Sequence, residues 1–157
     1  MGYKQEFQES ILNPEKFWVK QAEMIEWYKF PESILSKDAN GFFRWFKGGK
    51  LNTSYLMLDY HVKNGRADQT ALIYDSPVTE TIIKFSYKEL LEKVKNFAGV
   101  LRLKGIEKGD RVIIYMPMIP EAVIGMLACA RLGAIHSVVF GGFASKELAI
   151  RIDDAKP

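Results

Sequence analysis

Residues 111–140 constrain the fold more than any other stretch of this chain. RVIIYM at 111–116 is a near-continuous apolar strand, EAVIGMLACARL at 121–132 continues as a helix, and AIHSVVF at 134–140 is a second strand. Strands that apolar, with so little alternation, are covered on both faces, which favours a parallel sheet. Two parallel strands joined by a helix form a βαβ unit, whose crossover is right-handed. The punctuation agrees. Pro117 and Pro120 bracket the turn, Pro120 or Glu121 opens the helix, and Gly133 closes it. The fold class is α/β, with βαβ units of a mostly parallel sheet.

The pattern extends on both sides. TALIY at 70–74 and TIIKF at 81–85 are β-prone runs separated by the turn residues Asp75-Ser76-Pro77, so they form a hairpin or neighbouring strands. Ser86 precedes Glu89 by three residues, the capping-box spacing. Leu90, Leu91, Val94, Phe97, Ala98, Leu101 and Leu103 then mark an amphipathic helix that ends at Gly105. After residue 140 a Gly-Gly turn leads to a helix from about Ser145 that carries Leu148 and Ile152. No strand follows that helix before Lys156-Pro157, so the series is expected to be truncated inside a larger domain.

Residues 1–69 differ in character: they are rich in aromatics and lack a strand pattern. Asn13-Pro14 starts a helix expected over 14–28, with Phe17, Met24, Trp27 and Tyr28 on its buried face, and Pro31 breaks it. Phe42-Phe43-Arg44-Trp45-Phe46 reads as a segment packed across a neighbouring face. A second helix starts near Asn52 or Thr53, runs through Tyr55, Leu58, Tyr60 and Val62, and stops at Asn64-Gly65. The expected organisation is an N-terminal extension, 1–69, followed by the start of a second domain, 70–157.

Charge excludes some functions. The 22 basic residues against 19 acidic ones leave a net charge of only +3, which argues against nucleic acid or an anionic membrane as partner. The polar opening MGYKQEFQES is not a secretory signal. The single cysteine, Cys129, lies in an apolar run and reads as a small buried hydrophobe. These features fit a reducing, cytoplasmic setting.

The candidate for chemistry is Phe140-Gly141-Gly142-Phe143, at the carboxyl end of a parallel strand, where open α/β sheets bind ligands. Glycines admit close approach of a ligand, and a following helix N-terminus favours anions. The residues alone leave open whether this is a ligand turn or a structural one, since neither GxGxxG nor GxxxxGK[ST] is present. His61 and His136 lack metal-ligand spacing and read as structural, Asp153 and Asp154 point apart on a helix, and no nucleophile–base constellation can be assembled. No catalytic, ATP-binding or metal residue is assigned in this segment.

Three stretches carry a resemblance: Tyr115-Met116-Pro117-Met118-Ile119-Pro120-Glu121-Ala122, Met126-Leu127-Ala128-Cys129-Ala130-Arg131-Leu132-Gly133-Ala134, and His136-Ser137-Val138-Val139-Phe140-Gly141-Gly142-Phe143. Together with Phe17-Trp18, Trp45-Phe46-Lys47-Gly48-Gly49 and Lys108-Gly109-Asp110-Arg111-Val112, they resemble the acetyl- and propionyl-CoA synthetases of the adenylate-forming superfamily. Tyr74-Asp75-Ser76-Pro77-Val78-Thr79 reads closer to the propionyl branch, as do Gly133-Ala134-Ile135-His136 and Phe143-Ala144-Ser145-Lys146-Glu147-Leu148. The resemblance implies an acid–thiol ligase that uses ATP, Mg²⁺ and coenzyme A, with an acyl-adenylate intermediate. It implies that Phe140, Gly141 and Gly142 lie near the coenzyme A nucleotide. It also implies that the phosphate loop, acyl pocket and catalytic lysine lie beyond Pro157, so the segment needs the remainder of its own chain and is inactive alone. A self-contained Rossmann-like nucleotide module and a non-catalytic interaction domain are the alternatives. The missing glycine fingerprint counts against the first, and the unclosed strand series against both.

Overall fold

The computed structural model describes residues 2–157. The chain divides into two compact units, which meet at Asn52 and Thr53.

The first unit opens with two helices, α1 (Tyr3–Leu12) and α2 (Pro14–Ala22), the second with its proline in the first turn. Helix α1 was not expected from the sequence, and α2 stops well short of residue 28. At that end the Ala22 carbonyl accepts twice, from the Ile25 amide at 3.1 Å and from the Trp27 indole N–H at 2.9 Å. Residues 33–47 correct the expectation of a strandless half. Strands β1 (Ser33–Lys37) and β2 (Phe43–Lys47) pair antiparallel, with Leu35 opposite Trp45. Asp38 shapes the turn: one carboxylate oxygen accepts from the Asn40 and Phe42 amides. The aromatic run is thus a strand, and it packs within its own unit. Trp45 meets Trp18 edge-on at 5.6 Å, and Phe46 lies 5.6 Å from Trp27. Both strands are short and largely half-exposed, so neither shows the period-2 contrast that reveals a strand.

The second unit begins with two wide π-helical stretches, Tyr55–Asp59 and Val62–Arg66. They end as the sequence predicts: Asn64 and Gly65 leave helical geometry, Gly65 at φ 80°. By packing, this segment belongs with the core of the second unit, because Leu58 is buried among Leu90, Leu91, Val94 and Leu127. The change of character read at residue 69 is therefore one of sequence pattern. Strands β3 (Thr70–Ser76) and β4 (Thr81–Ser86) form the expected hairpin. Helix α3 (Tyr87–Leu103) starts with both capping-box bonds: the Ser86 hydroxyl accepts from the Glu89 amide, and the Glu89 carboxylate accepts from the Ser86 amide.

Strand β5 (Arg111–Met116), helix α4 (Pro120–Leu132) and strand β6 (Ile135–Phe140) are the βαβ unit, with β5 and β6 parallel. Gly133 adopts the left-handed conformation, φ 76°, that closes α4. Helix α5 (Ser145–Ala155) comes last. Coverage of both sheet faces is partial, even at the centre of the strands. Ile114 (4% exposed) and Val139 (1%) face opposite sides and are both buried, whereas Ile135, Val138 and Phe140 are exposed.

One ion pair ties the helical entry to α4. The Arg131 guanidinium donates to both Asp59 carboxylate oxygens, at 2.7 and 3.1 Å, with Asp59 side-chain exposure at 14%. Burial pushes the Asp59 carboxyl up, but the hydrogen bonds and charge of Arg131 outweigh it and hold the group below its ordinary value. A carboxyl lowered in the folded state stabilises above its unfolded value, about 4, and loses that contribution as pH falls through the folded value. Asp59→Asn is therefore expected to cost about 1–3 kcal/mol at pH 7, between the exposed-pair and buried-pair regimes. The gap to the unsubstituted chain should close below about pH 4, as read by urea unfolding across pH.

Candidate functional site

The site is built by the register of β5 and β6. Met116 stands opposite Phe140, so the two strands end at the same level and their exits lie side by side. From β5 the chain passes through Pro117 into α4, whose first residue is Pro120. From β6 it turns through Gly141 and Gly142 towards α5, and the Phe143 amide donates back to the Phe140 carbonyl at 3.0 Å. All the sequence-predicted site residues therefore sit together at the carboxyl edge of the sheet. Phe140 presents its ring to solvent at 58% exposure, and Gly141 and Gly142 are exposed.

The two glycines do different things. A Cβ on Gly141 would stand 2.9 Å from the Met116 carbonyl carbon and oxygen and from the Pro117 nitrogen. The room left by its missing side chain is thus filled by the chain's own backbone. A Cβ on Gly142 would stand 2.7 Å from a ring carbon of Phe140. Only Gly142 couples to the exposed aromatic surface a ligand could use.

Tyr115 and Arg151, which sequence reasoning passed over, complete the turn through Phe143. The Tyr115 hydroxyl donates to the Phe143 carbonyl at 2.7 Å. The Phe143 ring makes an edge contact with Phe140 at 5.9 Å, and the Arg151 guanidinium lies 4.9 Å from its centre. The one available signal was a hydroxyl-bearing ring in an otherwise aliphatic strand, which needs a partner when packed. Beside the turn lies a mainly apolar cavity of about 380 Å³, lined by Leu72, Tyr74, Met116, Met126, Val138 and Phe140 among others. Flat aromatic and apolar surface next to a turn and the uncapped start of α5 suits a ligand with a planar ring and an anionic part.

Cys129 is fully buried, and burial pushes its thiol up, away from the reactive thiolate. The His61 ring lies 4.7 Å from that of Tyr87, tilted by 44°, with Nδ1 3.2 Å from the Arg66 guanidinium, while His136 is exposed on β6. Asp153 and Asp154 lie exposed in the last turn of α5. Gly141→Ala must push backbone against backbone, so it should destabilise the chain by about 1–3 kcal/mol. Gly142→Ala displaces one exposed ring and should cost well under half of that, a contrast that urea unfolding resolves.

The family described as AMP-binding enzyme matches residues 58–157, and the acetyl-coenzyme A synthetase N-terminus matches residues 3–57. The chain is 56% identical over 155 residues to human acyl-CoA synthetase short-chain family member 3, mitochondrial, covering 99% of this chain and 23% of that protein. It is 46% identical over 156 residues to an acetyl-coenzyme A synthetase of Leptospira biflexa, covering 24% of it. The structure superposes on acetoacetyl-CoA synthetase from Streptomyces lividans with a TM-score of 0.89 at 27% identity, over 100% of this chain and 24% of that one. The chain spans about a quarter of the length of these relatives. With both matches placed end to end along it, the chain belongs to the AMP-binding enzyme family and corresponds to the N-terminal region of its acetyl- and short-chain acyl-CoA synthetases.

Proposed function

We propose that this chain is the front of a short-chain acyl-CoA synthetase, and that the turn Phe140-Gly141-Gly142 receives the nucleotide of coenzyme A. In the full-length protein, a carboxylate oxygen of propionate, or less efficiently acetate, attacks the α-phosphorus of ATP and pyrophosphate leaves. The coenzyme A sulfur then attacks the acyl carbonyl carbon, the bond to AMP breaks, and the thiol proton goes to solvent or base. The ligase class follows from the family; the choice of acid rests on the Tyr74–Thr79, Gly133–His136 and Phe143–Leu148 stretches.

The observation that carries the site assignment is the pairing of an exposed Phe140 ring with a turn at the sheet's carboxyl edge. An adenine can lie against such a ring, and Gly142 leaves that ring free to take the position stacking needs. The adenylating step has no candidates here. Among the described residues no three His, Cys, Asp or Glu side chains group as metal ligands. ATP and the carboxylate fall to the rest of the chain, which is the partner this segment requires. Among the described residues no helix is long and apolar enough to cross a membrane. A cytoplasmic setting is proposed on the single buried cysteine, and cell fractionation tests it.

Two measurements test the function. The segment alone should show no propionate-dependent ATP–pyrophosphate exchange, and the full-length protein should show it, with kcat/KM for propionate above that for acetate. Higher kcat/KM for acetate would overturn the choice of acid. Gly142→Ala should raise the KM for coenzyme A about 3- to 10-fold, the loss of one modest contact, while leaving the exchange reaction in place. Equal loss in both half-reactions would make the turn purely structural.

A further inference from the structure

The turn after β6 lies outside any helix or strand, yet its geometry is held at both ends by consecutive residues of β5. At its entry, Gly141 sits so close to the Met116–Pro117 peptide that an added Cβ would stand 2.9 Å from it, which excludes a side chain. At its exit, the Tyr115 hydroxyl donates to the Phe143 carbonyl at 2.7 Å. Between the two, the Phe143 amide closes on the Phe140 carbonyl and the two rings meet edge-on at 5.9 Å. The orientation of the Phe140 ring therefore depends on where Phe143 is held.

Tyr115 is the group that holds it. It shares a strand face with Arg111, four residues earlier, and Arg111 donates to the Ala155 and Lys156 carbonyls at the far end of α5. That face of β5 thus anchors the chain after β6 at two points: Arg111 at the end of the helix and Tyr115 at the turn before it. The Arg111 contact is the ordinary pairing of a cation with a helix C-terminus and serves the fold. The Tyr115 contact lands on an exposed segment that needs no burial and contributes little to stability, because a released Phe143 carbonyl returns to water.

We propose that Tyr115 is a positioning residue for thiol transfer: its hydroxyl keeps the 140–143 turn in the arrangement that presents the Phe140 ring to coenzyme A. The inference rests on the reading of that turn as the coenzyme A surface. A binding surface populated for only part of the time lowers apparent affinity by that fraction, with no change in the bound complex. Removing the hydroxyl should thus act on KM for coenzyme A and leave kcat at saturating coenzyme A near its original value.

The experiment uses the full-length protein with Tyr115→Phe, Gly142→Ala and the double variant. Carboxylate-dependent ATP–pyrophosphate exchange reports adenylation, and acyl-CoA formation at varied coenzyme A reports thiol transfer. Tyr115→Phe is expected to raise the KM for coenzyme A about 3- to 10-fold, the equivalent of one hydrogen bond, with exchange and thermal midpoint essentially unmoved. The double variant should show less than the product of the two single effects, since both loosen the same turn. If Gly142→Ala raises the KM for coenzyme A and Tyr115→Phe does not, the positioning role falls and the coenzyme A reading stands. If neither variant moves it, that reading falls and takes the positioning role with it. If Tyr115→Phe depresses both half-reactions alike or lowers the thermal midpoint, the hydroxyl serves only the fold, and the proposal is overturned.

Discussion

Parallel pairing of β5 and β6 is the constraint on which the second unit depends. Parallel strands cannot be joined by a tight turn, so the chain must leave the sheet, cross it as α4 and return. Once Met116 is in register with Phe140, both strands deliver their exits to one edge. Everything proposed for the site depends on that level alignment. Gly141 can rest on the Met116–Pro117 peptide only because the two strand ends are neighbours, and Tyr115 can reach Phe143 only because β5 extends as far as the turn does.

Packing of helices supports this sheet from one side. Val94 of α3 and Ala128 of α4 are fully buried in one cluster, which also takes in Leu58 from the helical entry. Small residues on α4 serve close approach: a Cβ on Gly125 would already meet the tip of Ile114 at 3.4 Å. The half-buried pair between Asp59 and Arg131 then fixes the entry helix against α4 with two directional bonds. Directionality matters there, because an apolar contact such as that of Leu58 sets depth but not rotation.

Much of the second unit was legible residue by residue. Ser86 with Glu89, Pro120 at a helix start and Gly133 at a helix end are local devices whose bonds close within a few residues. The first unit was read less well. Trp45 of the β1–β2 hairpin packs on Trp18, 27 residues earlier, and at the end of α2 the Trp27 indole folds back onto the Ala22 carbonyl, a side-chain contact that hydrophobic spacing does not report. Short strands with little burial give no clean alternation, so FFRWF at 42–46 read as an aromatic packing segment.

By itself the sequence determined the α/β class, the βαβ core, the position of the Gly-Gly turn and the family to which these belong. The class, the core and the turn rest on spacing along the chain, and the family on the resemblance of whole stretches such as 115–122 and 136–143 to known synthetases. Only the tertiary structure decided what each part of the turn does. Gly141 and Gly142 are identical in sequence terms, yet one is required by the backbone beneath it and the other borders the exposed ring. Tyr115 and Phe143 are 28 residues apart, and their hydrogen bond exists only because parallel register carries β6 back to the end of β5. Non-local contacts of this kind depend on the whole path of the chain, which no local pattern encodes.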